Sequence, residues 1–218
     1  GKADGEQLLD YLSAHDSTAR HVSHRMAVRF VSDTPPASVV DAMADTYKAT
    51  GGDVKAMLRT MIAAPEFAAA AGQKVKRPLE YFISALRVTE AEVSRGARVL
   101  GHLLGQMGQT PYGWQTPDGY PDYAAWWTTT SGLLARWNFA LLMMTDALPG
   151  VTVNPHAMAA DGESPDDIVD LLSLRFMGEI LPDDARSVLA DFAAAGDLGA
   201  NIPLVAALIL GSPHFQVR

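Results

Sequence analysis

Apolar residues recur along most of this chain at the three- and four-residue spacing of helices, and nowhere in the sustained alternation of strands. In the stretch 53–64, Val54, Met57, Leu58, Met61 and Ile62 fall on one helical stripe. In 16–31, capped by Asp16 or Ser17, Val22, Met26 and Phe30 sit four apart and define one face. Helices are also expected over 5–15, 37–50, 65–71, 77–88, 90–107, 123–130 and 131–148, the last of them buried throughout. After a linker at 149–163 the pattern returns at 164–178, 182–196 and 202–210. Pro35, Pro36 and Pro65 stop one helix and start the next, because proline suits a first turn and not an interior. Gly51-Gly52 supplies a C-terminal stop. The expected class is therefore all-α, a bundle of about ten to twelve helices with essentially no sheet.

The two ends of the chain resemble each other. Laying 21–52 over 168–196 matches Arg29-Phe30 with Arg175-Phe176, Pro36 with Pro182 and Asp45 with Asp191. A further offset brings Pro65 and Phe67 onto Pro213 and Phe215. Each copy reads helix, proline break, helix, glycine turn, helix, then a Pro-x-Phe stop. The expected organisation is a single helical domain, 1–218. Its parts are a first three-helix unit at 16–68, central helices at 78–147 and a second three-helix unit at 164–216. Each copy presents apolar stripes that need a partner surface, so both copies are expected to share a core with the central helices.

One stretch departs from the helical pattern. Residues 109–127 hold three of the four tryptophans and three of the six tyrosines, interleaved with Pro111, Gly113, Pro117, Gly119 and Pro121. Those prolines and glycines fold a chain of tight turns. Long loops in compact domains are functional or disordered, and six rings argue against disorder. One reading makes Trp114, Tyr120, Trp126 and Trp127 a lid over the core. The other makes the loop a ligand-binding surface of Tyr112, Trp114, Asp118, Tyr120, Asp122, Tyr123 and Trp126. There the rings would stack on sugars or receive apolar side chains, and the two aspartates would accept hydrogen bonds from sugar hydroxyls.

Composition narrows the chemistry. A net charge of −8 and a pI near 5.1 argue against nucleic acid, which needs a basic face. The chain has no cysteine, which removes disulfides, thiolate metal sites and cysteine nucleophiles and fits the cytosol or an exported compartment equally. No apolar run reaches the ~18 residues of a membrane span. His21 and His24 share a helix face, but no carboxylate at a recognised spacing completes a metal site, so neither metal nor cofactor is expected. No G-x-S-x-G, G-x-G-x-x-G or P-loop occurs. Glycoside hydrolysis would need two carboxyls at a set separation, and Glu66, Glu80, Glu90, Asp118 and Asp122 are the candidates. Arg29 and Arg175 are expected to bind helix-terminal carbonyls. Lys74, Lys76 and Arg77 read as a solvated basic loop before the helix that starts at Pro78.

Four motifs in order, 17–36, 50–67, 74–87 and 108–141, resemble the C-terminal half of the bacterial proteins grouped as domain of unknown function 1800. The resemblance is strong over 6–147 and looser beyond. It implies a helical fold, a longer parent chain and export, and it supplies no activity and no catalytic residues. The expected function is a non-catalytic binding or assembly module whose partner is a glycan or a protein. The alternative is a hydrolase acting on an extracellular or cell-surface polymer.

Overall fold

The computed structural model describes residues 1–94 and 96–218; Arg95 and the side chains of 96–99 lie outside the description. The described residues form fourteen helices and one two-residue strand pair, so the protein is all-α. Ten helices are long: α1 (Lys2–Ala14), α2 (Asp16–Phe30), α3 (Ala37–Thr50), α4 (Val54–Ala63), α6 (Pro78–Val88), α7 (Gly96–Gln106), α9 (Thr130–Met144), α11 (Pro165–Met177), α12 (Asp183–Ala194) and α13 (Leu198–Gly211). Four are single turns: α5 (Pro65–Ala69), α8 (Ala124–Trp127), α10 (Pro155–Met158) and α14 (Pro213–Gln216). Strands β1 (Glu92–Val93) and β2 (Val151–Thr152) pair antiparallel. Packing divides the chain into two compact units, Gly1–Lys74 and Val75–Arg218.

In the first unit α2, α3 and α4 surround a cluster built on Ala27, Val31, Val39, Val40, Met43, Met57, Met61 and Ala70. The buried face of α2 is Ala19, Ser23 and Ala27, with Val28 beside it. The expected stripe is displaced: Val22 and Met26 are half-buried, and Phe30 is 46% exposed. Small residues every fourth position let two helices approach closely, and the larger side chains then flank the seam rather than fill it. His15 rather than Asp16 or Ser17 caps α2, its Nδ1 accepting from Ser17 N at 3.1 Å. Asp53 opens α4 by accepting from the amides of Lys55 (2.8 Å) and Ala56 (3.2 Å). Gly51, at φ 64°, closes α3 in the left-handed region.

In the second unit, one continuous cluster draws on α6, α7, α9, α11, α12, α13 and α14, with Tyr81, Phe82, Phe139, Leu172 and Phe215 among its largest members. The segment 164–216 thus shares its core with the central helices, while the first unit carries a separate cluster of its own residues. Pro36 and Pro182 each occupy the N-cap of the helix that follows, and Pro65 and Pro213 each begin a short helix. Arg186 binds Asp170 through two hydrogen bonds (2.6 and 2.9 Å) and Asp166 at 2.8 Å, joining α12 to α11.

The helix expected over 90–107 begins only at Gly96. Glu90, at φ 50°, ends the turn after α6, and Glu92 and Val93 are drawn into pairing with Thr152 and Val151. Arg175 binds a helix-terminal carbonyl, but that of α6: its Nε donates to Val88 O at 3.3 Å while an Nη meets Glu90 at 2.8 Å.

Candidate functional site

The aromatic loop hangs between α7 and α9 and is pinned from inside. Gln109 is buried, and its Oε1 accepts from Leu79 N at 2.8 Å, an otherwise unpaired donor in the first turn of α6. Tyr120 donates its hydroxyl proton to Thr110 O at 2.7 Å, which closes the loop on itself. Gly113 lies in that closure: a β-carbon there would sit 2.9 Å from the Thr110 side chain and 3.2 Å from the Tyr120 hydroxyl. Trp114 donates Nε1–H to Asp118 at 3.1 Å, and Thr116 donates to the same carboxylate oxygen. The rings then contact one another, Trp114 with Tyr120 at 5.0 Å, Trp114 with Trp126 at 5.5 Å and Tyr120 with Trp127 at 5.7 Å between centroids.

The rings divide into two groups. Trp127 is buried (3% exposed) and donates Nε1–H to Pro121 O at 2.9 Å, so it is the lid element. Trp114 and Tyr120 are half-buried and support the others. Tyr112, Tyr123 and Trp126 are exposed, Trp126 by 52%. Tyr112 is held at φ 58°. Of the two aspartates, Asp122 is half-buried, and Asp118 is exposed but committed to Trp114 and Thr116.

Beside Trp126 lies a cavity of about 360 Å³, lined by Gln106, Met107, Gly108, Ala125, Trp126, Trp127, Thr129, Ser131 and Gly132. Its polar groups are neutral: the Gln106 amide, which also meets His102 at 3.1 Å, and the Thr129 and Ser131 hydroxyls. Among the described residues no carboxyl lines it.

The carboxylates considered for hydrolysis serve local structure. Glu80 caps α6, accepting from Arg77 N at 3.1 Å and pairing with the Arg77 guanidinium at 3.0 Å. Glu90 pairs with Arg175. The Ser38 hydroxyl donates to Glu66 at 2.6 Å and lowers its pKa, the wrong direction for a general acid. His21 and His24 are exposed, and among the described residues no three His, Asp or Glu side chains form a metal-binding group.

Three features were missed in the sequence. Arg136 is fully buried in α9, donating to Gln216 Oε1 at 2.6 Å and Lys76 O at 2.9 Å beneath the Tyr81 ring. The basic triplet is not solvated: Lys74 is 2% exposed and meets Asp33 at 2.5 Å, and Lys76 lies 3.7 Å above the centre of the Phe215 ring. A second cavity, about 490 Å³ and without a charged lining residue among the described residues, runs along Leu134, Trp137, Leu141, Phe192 and Leu208. Its wall on α9 is the outward stripe of Leu134, Trp137 and Leu141, which the run of apolar residues in that helix does not distinguish from the buried stripe.

The family profile of proteins of unknown function DUF1800 matches residues 1–217. The chain belongs to that family. The match runs through residues 164–216 as well as the four motifs. No curated protein and no solved structure matches the chain. Among the described residues, no helix of this DUF1800 member is long and apolar enough to cross a membrane.

Proposed function

We propose that this DUF1800 protein is a non-catalytic binding module of an exported bacterial protein, and that residues 109–127 carry a glycan-binding surface. The observation behind this reading is the division of the rings: Trp127, Tyr120 and Trp114 are fixed by hydrogen bonds, and they hold the half-exposed face of Trp126 beside a cavity. A ring fixed before binding loses little entropy on contact, which is the condition for an aromatic anchor. A ring face bordered by neutral hydroxyl and amide groups matches the apolar faces and hydroxyls of a neutral saccharide. Tyr112 and Tyr123 are the other exposed rings of the loop. The absence of a carboxyl from the cavity lining supports binding over hydrolysis.

The experiment is a glycan array read with the wild-type protein and with Trp126→Ala. Binding of a neutral saccharide that falls at least tenfold in Trp126→Ala supports the reading. Binding that is indifferent to the substitution, or binding only to peptides, refutes the glycan surface. Export is tested separately by fractionating cells that express the natural parent protein: recovery in the cytosol alone overturns it.

A further inference from the structure

The groove of about 490 Å³ shares no lining residue with the cavity beside Trp126. Its walls are Leu134, Trp137 and Leu141 of α9, Leu204 and Leu208 of α13, and Phe192 of α12. Trp137 is 57% exposed, yet its indole is fixed. Nε1 donates at 2.7 Å to the carbonyl of Gly211, one of the last-turn acceptors that a helix leaves unpaired. Gly211 permits that approach, because a β-carbon there would lie 3.0 Å from Trp137 Cδ1, inside the ~3.5 Å of ordinary carbon contact. The groove therefore holds an aromatic side chain set in place before anything touches it. Two polar side chains complete the lining. Ser212 Oγ accepts from Phe215 N at 3.3 Å, while the Asn138 amide has no hydrogen-bond partner among the described residues.

We propose that this groove is a binding site for one uncharged alkyl chain, carried by a lipid whose hydroxyl or ester group meets the Asn138 amide. Its dimensions select a chain over a helix. Leu134 and Leu141 stand two turns apart on α9, roughly 10 Å. A volume of about 490 Å³ over that length gives a cross-section of roughly 50 Å². A helix with its side chains is about 10–12 Å across and needs about twice that area, whereas a hydrocarbon chain fits within it. An extended peptide is narrow enough, but it would lay main-chain amides and carbonyls against leucine and phenylalanine, where unpaired groups are costly to bury. An alkyl chain brings no such groups, and its methylenes gain by leaving water for Trp137 and the four leucines. Charge selects in the same way. No charged residue lines the groove among the described residues, so a carboxylate or ammonium at Asn138 would give up water with no opposite charge to meet. A carboxylate would also meet the net charge of −8. The asparagine amide offers both a donor and an acceptor, which suits an alcohol or an ester.

The test is a titration of the full chain with ω-bromodecanol, whose bromine quenches an indole in contact with the chain, read by tryptophan fluorescence. Saturable quenching is expected, and the quenched part of the emission should be missing in Trp137→Phe. Native mass spectrometry should count one decanol per protein chain. Decanoate and decyltrimethylammonium should each bind at least tenfold more weakly than decanol. Leu141→Gln and Leu208→Gln place an amide in the wall at exposed positions, and each should weaken decanol binding at least fivefold in samples matched for helical circular dichroism. Quenching that survives Trp137→Phe puts the alkyl chain at another tryptophan and overturns the proposal. Equal affinity for decanoate overturns it as well. So does a concentration-dependent dimer that both leucine variants dissociate and decanol does not, an outcome that gives the groove to a second copy of the protein.

Discussion

Adjacent residues in this protein carry opposite duties, and Trp126 and Trp127 are the clearest pair. Trp127 fills the seam under the loop and satisfies a backbone carbonyl, so Trp127→Ala removes packing and leaves a cavity. Its expected cost is about 3–5 kcal/mol, read as a lowered urea midpoint. Trp126→Ala is expected to change that midpoint by less than about 1 kcal/mol, because half of the ring is already in water. Equal losses in the two variants would mean that both rings are structural and would remove the support for a surface role. Lys76 makes a prediction with a sign. Its folded pKa, about 8, lies below the unfolded value of about 10.4, so the unfolded chain holds more protons between them. The group's contribution to stability is fully present above the unfolded value and is lost as pH falls through the folded one. Below about pH 8 the native state therefore bears a constant cost for the ammonium. Wild-type protein should gain stability relative to Lys76→Met as pH rises from about 8 to 10, measured by urea unfolding at each pH. A difference that does not vary with pH would show that Lys76 is solvated.

At the scale of elements, what the sequence made legible was the punctuation. Pro36, Gly51 and Pro65 set the bounds of α3 and the start of α5 through local backbone chemistry, and local chemistry is what a sequence displays. The faces of the helices were less legible. In α2 the seam is made of Ala19, Ser23 and Ala27, and ranking residues by apolar size points to the wrong stripe. In α9 nearly every position is apolar, so the pattern cannot tell the buried stripe of Phe139, Ala140 and Met143 from the exposed one of Leu134, Trp137 and Leu141. The strand pair that shortens α7 joins residues nearly sixty positions apart, and no local signal announces it. The loop was legible as a ring-rich turn, but which rings face water depended on hydrogen bonds to Pro121, Thr110 and Asp118. The first helix carries a prediction of its own. No residue of α1 is buried, and Leu8, Leu9, Tyr11 and Leu12 are all exposed. Its tertiary hydrogen bond is that of the Tyr47 hydroxyl to Ser13 O at 2.9 Å, and a thirteen-residue helix that buries no side chain is marginal in water. Amides of α1 should exchange with solvent deuterium at least a hundredfold faster than those of α3, and comparable protection would mean that another surface covers α1.

At the scale of the molecule, the chain is organised around two clusters of buried apolar side chains. One is centred on Met43, Met57 and Met61, the other on Tyr81, Phe82, Phe139 and Leu172. A cluster that belongs to one compact unit stabilises that unit's hydrogen bonds directly, and those of the rest of the chain only as far as unfolding is shared. Met57 is fully buried, and truncating it to alanine should cost about 2–5 kcal/mol. Leu172, also fully buried, should cost a similar amount. If each unit unfolds around its own cluster, Met57→Ala accelerates deuterium exchange in α2, α3 and α4 and leaves the protected amides of α6, α9 and α13 unchanged, whereas Leu172→Ala does the reverse. Exchange measured residue by residue in the two variants decides the matter. Acceleration throughout the chain in both would mean that the 218 residues unfold as one cooperative body, and that the division between Lys74 and Val75 marks packing without marking a folding boundary.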